Sequence, residues 1–138
     1  MNFKNISIIA IVTLLTFSIN ACKDDEETVT PEPTAVTFDI SDPVAGTMYG
    51  KGDTVFINGM ISYDVEMHGY EINIINTSNN DTVVFNKHAH SDSKMFHIHE
   101  HWVNNVSGHS NMTLSIEALT DHSGASQTKE ISFHCHPM

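Results

Sequence analysis

The chain has no arginine; its six basic residues other than histidine are all lysines. Phosphate and paired carboxylate oxygens are gripped best by the guanidinium fork, so this absence argues against nucleic acid and against substrates held as anions. Positive charge is scarce overall. Seventeen Asp and Glu stand against the six lysines, a formal charge of −11 with neutral histidines, and such a surface attracts cations. Cysteine is scarcer still: Cys22 and Cys135 are the only two. If Cys22 is taken up by lipid, Cys135 has no partner in the chain, and neither a disulfide framework nor a zinc site built on two or four thiolates follows. No window shows a helical period, and no internal repeat is visible. There is no Ser/His/Asp order, phosphate loop or paired-acid signature, and Glu100 is the one notable carboxylate near the histidines. The chain is therefore expected not to be an enzyme.

Lys4, the apolar run from Ile8 to Phe17 and then Ser18-Ile19-Asn20-Ala21-Cys22 follow the order of a secretory signal. The run is short for a membrane-spanning helix. Ile19 and Ala21 before Cys22 resemble a bacterial lipobox, with Asn20 a less usual residue there. That resemblance implies a signal peptide over 1–21, cleavage before Cys22, and lipid on that cysteine as a membrane anchor. Lys23-Asp24-Asp25-Glu26-Glu27 resembles the surface-export signal of Bacteroidota lipoproteins; the plainer reading is a solvated tether. Two prolines in the stretch ending at Thr34 make 22–34 a lipidated, semi-rigid linker. The expected location is the bacterial outer membrane, exposed at the cell surface, with a periplasm-facing anchor as the alternative.

Residues 35–138 suit one small domain. Apolar and polar residues alternate in Val36–Ile40, Val55–Ile61, Gly69–Ile75, Thr82–Phe85, Met95–Val103, Met112–Ala118 and Ile131–Cys135. Turn residues cluster between these runs, notably Thr77-Ser78-Asn79-Asn80-Asp81. About seven short strands at this spacing predict an all-β, immunoglobulin-like β-sandwich, with a cupredoxin-like sandwich or a small barrel as alternatives.

What the chain has in plenty is histidine. Five of its ten fall within residues 88–101: His88, His90, His97, His99 and His101. In a strand, residues i and i+2 share a face about 6.6 Å apart, and neutral imidazole is the commonest protein ligand for a transition metal. Alternation sends Phe96, Ile98 and Trp102 inward and His97, His99 and His101 outward. Glu100 then falls on the apolar side, where a bulge or fraying is expected. If Ser91-Asp92-Ser93-Lys94 is a hairpin loop, His88 lies opposite His97, and His88, His90, His97 and His99 share one outward patch. Such a patch suits Zn²⁺, with Cu²⁺ a strong competitor for nitrogen ligands. If the two strands belong to opposite sheets instead, the histidines meet at one end of the sandwich or not at all.

His134 and His136 flank Cys135 and either complete that site or form a second one. His68, His109 and His122 read as ordinary polar residues of turns and loops. The methionines sit in apolar patterns and read as core. His134-Cys135-His136-Pro137-Met138 resembles the Cys/His/Met set of blue-copper proteins over five residues, but Met138 follows too soon for the usual loop. Cys135, pointing in, reads as a small buried hydrophobe.

The whole mature chain resembles a family of His-rich Bacteroidota lipoproteins of unknown function with an immunoglobulin-like domain. The points of contact are the lipobox, Gly52-Asp53, Tyr70-Glu71-Ile72, His88-Ala89-His90 and His97-Ile98-His99-Glu100-His101. The resemblance implies fold and location more than activity. The residues themselves point to a surface lipoprotein that binds zinc or copper for capture, buffering or delivery. The alternative is a structural or adhesive module with a protein or glycan partner and incidental metal affinity.

Overall fold

The computed structural model describes residues 35–137. The signal segment, Cys22, the acidic tether over 22–34 and Met138 lie outside the described residues. The described residues form six strands and no helix: β1 (Thr37–Asp42), β2 (Met48–Tyr49), β3 (Thr54–Asn76), β4 (Thr82–Val103), β5 (Ser110–Leu119) and β6 (Ser126–Cys135).

β3 and β4 determine the shape. They have 23 and 22 residues, and a straight strand of that length would span about 75 Å. A domain of roughly 100 residues is only about 35 Å across, so both strands bend. They form one long antiparallel hairpin closed by the turn over residues 77–81, where Asn80 and Asp81 take the left-handed conformation that their short polar side chains tolerate. The bend lies where pairing is interrupted. Ser62 pairs with Met95 and Met67 with Ser93, so residues 63–66 of β3 face Lys94 alone. Just beyond, Gly69 pairs with His90, and His68 faces both Ser91 and Asp92.

Each half of the bent ribbon recruits different neighbours. β1 pairs with Asn58–Ser62 in the first half of β3, and β5 pairs with Gly69–Asn76 in the second. β6 extends the second half antiparallel to β5, and β2 ends it with a parallel pair to β6. The result is one continuous sheet curled so that its halves face each other, a β-sandwich of immunoglobulin-like architecture. The Tyr70 and Phe96 rings meet edge to face at 5.2 Å from opposite halves, and the Val36 amide donates to Gln127 Oε1 at 2.9 Å.

The seven predicted runs thus resolve into five strands, and the two-residue β2 is an addition that no run predicted. Val55–Ile61 and Gly69–Ile75 are two halves of β3, and the runs at 82–85 and 95–103 are two ends of β4. Ser91–Lys94 is not a hairpin loop; it lies inside β4. The core follows the predicted alternation. Ile57, Ile61, Ile72, Ile74, Ile98, Leu114 and Ile116 are fully buried, each stabilising the fold by about 1.5–3 kcal/mol relative to exposure. Glu100 faces this interior side without a bulge, directly opposite Ile57. Its carboxylate is neutralised by Lys87, with Nζ 3.5 Å from Oε1.

Candidate metal centre

Gly69 organises the site. It pairs with His90 of β4 on one side and with Leu119, the last residue of β5, on the other. The turn that follows β5 is thereby brought beside His68 and His90. Only glycine fits at this crossing: its φ is +148°, and a Cβ there would run into the Ala89 carbonyl.

Four imidazoles and one carboxylate gather around this point. His68 Nε2 lies 3.1 Å from His90 Nδ1. His68 Nδ1 lies 3.0 Å from Asp92 Oδ1, a contact that follows from the irregular pairing opposite His68. The His122 ring stands with its centroid 3.8 Å from that of His68, and the His88 ring 5.7 Å from that of His90. Potential ligand atoms of His68, Asp92 and His122 all lie within 4.8 Å of one another. His68 is half-buried, and His88, His90, Asp92 and His122 are exposed, so the cluster is open to solvent.

The turn carrying His122 is fastened by Asp121. Its Oδ1 accepts from the Ser123 amide at 2.8 Å, the Ser123 hydroxyl at 2.7 Å and the Ala125 amide at 3.0 Å. The Ser123 hydroxyl and the turn amides hold the Asp121 carboxyl below its ordinary range.

Chemically, the carboxylate at His68 Nδ1 favours a proton there and leaves Nε2 as a lone pair. That lone pair faces His90 Nδ1. A tetrahedral ion with metal–nitrogen distances of about 2.0–2.1 Å holds its ligands about 3.3 Å apart. The 3.1 Å separation of these two nitrogens is close to that value.

The other predicted ligands lie elsewhere. His97, His99 and His101 project from the outer face of the first half of the ribbon, opposite Met60, Asn58 and Phe56. Among the described residues, no hydrogen bond or ring contact joins these three to His88 or His90. The shared patch of His88, His90, His97 and His99 therefore does not form, because Ser91–Lys94 carries β4 onward through its bend and does not turn it back on itself as a hairpin. His134 and His136 lie with His109 at the opposite end of β5 and β6. Cys135 is fully buried between them. Burial, helped by the Asp53 charge, pushes its thiol up to about 11, so the side chain packs as a small protonated core group.

Sequence reasoning missed His68, His122 and Asp92. The break in alternation before Gly69 marks a bend, but nothing local in the sequence shows which residues the bend brings together.

No protein-family model and no curated protein sequence matches the chain. Among solved structures, the chain is similar to the fibronectin(III)-like modules of Clostridium thermocellum CbhA, with a TM-score of 0.47, 16% identity, and 72% of this chain and 94% of that one covered. It is also similar to CopC from Methylosinus trichosporium OB3b, with a TM-score of 0.42, 9% identity, and 73% and 95% covered.

Proposed function

We propose that this domain binds a divalent transition-metal ion, Zn²⁺ or Cu²⁺, at the cluster of His68, His90 and His122, with Asp92 as the carboxylate that orients His68. His88 stands next to His90 as a further nitrogen ligand. The observation that carries this reading is the pair of imidazole nitrogens 3.1 Å apart, with His122 and Asp92 against the same ring. The donor set has the affinity order of imidazole sites, with Cu²⁺ above Zn²⁺. We place the domain at the bacterial outer membrane, held by the lipid that the resemblance to a lipobox implies on Cys22. An acidic, membrane-held protein with an open imidazole site suits metal capture, buffering or delivery.

Calorimetric titration of the full chain with Zn²⁺ and with Cu²⁺ tests this. The expected result is saturable binding that falls at least tenfold in both His68→Ala and His90→Ala. Asp92→Ala weakens binding about tenfold or more, as loss of an orienting carboxylate does; Asp92→Asn keeps an acceptor and loses less. Binding that is unchanged when His68 and His90 are both replaced would overturn the assignment.

A second reading has one observation in its favour. Phe56, Met95 and Val103 are exposed on the same outer face as His97, His99 and His101. Such a mixed aromatic, aliphatic and imidazole surface suits a protein or glycan partner. Partner capture that survives chelators and is lost in Phe56→Ser would support it.

A further inference from the structure

β5 begins beside one histidine group and ends beside another. His109 immediately precedes it, and His122 lies in the turn that follows it. Its ten residues separate the two groups by about 30 Å of extended strand, so no single ion can serve both.

The group at the start of β5 comprises His109, His134 and His136. His134 pairs with Asn111 across β5 and β6, and His136 follows Cys135, the last residue of β6. The buried Cys135 between them points inward. The His109 ring stacks on both others, with centroids 5.8 Å from His134 and 6.0 Å from His136, and interplanar angles of 29° and 27°. His134 Nε2 lies 3.5 Å from His109 Nδ1.

The neighbours prepare these rings. Asn111 Oδ1 lies 3.1 Å from His134 Nδ1. An amide oxygen only accepts, so it holds the proton on Nδ1 and leaves Nε2 as a bare lone pair aimed at His109. His136 is fixed through its backbone. Its amide donates to the Tyr49 carbonyl at 3.0 Å, and its carbonyl accepts from the buried Asn104 Nδ2 at 3.4 Å.

We propose that His109, His134 and His136 form a second transition-metal site, with Asn111 positioning His134. The ion is a late first-row divalent metal, for which Cu²⁺ is the tightest case at an imidazole site. The 3.5 Å separation between His134 and His109 brackets the tetrahedral ligand spacing of about 3.3 Å from above, as the His68–His90 pair does from below. This site stands independently of the one around His68.

Paramagnetic broadening in amide NMR spectra of the full chain separates the two sites, with CuCl₂ added below and up to two equivalents. The expected result is broadening around Asn111 and residues 133–136, distinct from broadening around Gly69, Ala89 and His90. The double variant His109→Ala/His134→Ala abolishes only the first set, and His68→Ala/His90→Ala abolishes only the second. Asn111→Leu weakens Cu²⁺ at this end about tenfold, as loss of a positioning acceptor does, and Asn111→Asp restores it. Unchanged amide positions elsewhere certify that each variant is folded. Absence of broadening at 111 and 133–136 with two equivalents of Cu²⁺ overturns the proposal, as does its persistence in His109→Ala/His134→Ala. Loss of the Gly69 set alone leaves this site standing and removes only the function proposed for the other end.

Discussion

Lys87 Nζ lies 3.5 Å from Glu100 Oε1, although both residues belong to the same strand, β4. In a straight strand they would stand tens of ångströms apart. Their contact follows from the bend that folds the β3–β4 ribbon onto itself. Lys87 pairs with Ile72 in one half and Glu100 with Ile57 in the other, both on the inner side. The pair closes the rim of the sandwich with opposite charges.

Its energetic worth is small. Lys87 is 49% exposed and Glu100 25%, and partly solvated pairs contribute about 0–1 kcal/mol. Glu100→Gln is expected to change the free energy of denaturant unfolding by no more than about 1 kcal/mol and to leave metal affinity unaltered. It also reports on Tyr70, whose hydroxyl is pushed above its ordinary value first by burial and then by the Glu100 charge. Removing that charge lowers the Tyr70 titration midpoint toward 10.0 without reaching it, because burial remains. Ultraviolet titration of the tyrosinate band checks this.

Gly69 is the least replaceable residue near the His68 cluster. In Gly69→Ala, the new Cβ meets the Ala89 carbonyl, which is backbone and cannot rotate away, and φ of +148° strains any L side chain. Destabilisation of at least about 2 kcal/mol is expected. His90 pairs with Gly69 and His68 precedes it, so the metal site should be lost at the same substitution. Melting curves with and without Zn²⁺ separate the two effects: the variant melts lower, and added metal no longer raises the midpoint.

The strands were legible in the sequence because burial of one face imposes a period of two. Ile72 and Ile74, like Met112, Leu114 and Ile116, carry that period and are all buried. The turn over residues 77–81 was legible from its Asn and Asp residues. Ser91–Lys94 has the same polar composition yet lies within β4, because its partner is the bent stretch of β3 around Met67. Composition reports that a backbone is solvated and not whether it turns. For the same reason His68 and His122 read as solitary polar residues. Their meeting depends on Gly69 pairing with His90 and Leu119 at once, a long-range relation that no local pattern carries. The His88 and His90 rings stand 5.7 Å apart on one face, a relation that rests on the strand period alone.

Cys135 sets the alkaline behaviour of the fold. Its thiol ordinarily ionises near 9.0 and in the folded chain is pushed up to about 11, mainly by burial. Below pH 9 the thiol is protonated in both states and contributes no difference. Between about 9 and 11 the unfolded chain ionises and the folded chain does not, so stability falls as pH rises, by on the order of 2–3 kcal/mol in full. Cys135→Ala or Cys135→Ser is expected to flatten this alkaline loss relative to the native chain in unfolding curves at pH 8 and 10. A thiol reagent at pH 8 should modify the native chain at this residue only as fast as it opens.

The acid side involves Asp121 and couples to the metal site through His122. The folded Asp121 carboxyl ionises below its ordinary value of 3.8 because hydroxyl and amide donors favour the charged form. Its contribution is therefore present above pH 3.8 and is lost as pH falls through the lower folded value. At any pH where the imidazoles are neutral enough to bind metal, the turn is fastened. Substitution is thus a cleaner probe of the turn than acid. Asp121→Ala removes three hydrogen bonds and frees the turn, and the entropy of ordering His122 must then be met at metal binding. Zn²⁺ affinity should fall several-fold in Asp121→Ala and further in His122→Ala. In the double variant the affinity should match His122→Ala alone, since a turn without its imidazole has nothing left to position. A loss in the double variant equal to the sum of the two single losses would show that the turn and His122 act separately, and that His122 is not a ligand held in place by Asp121.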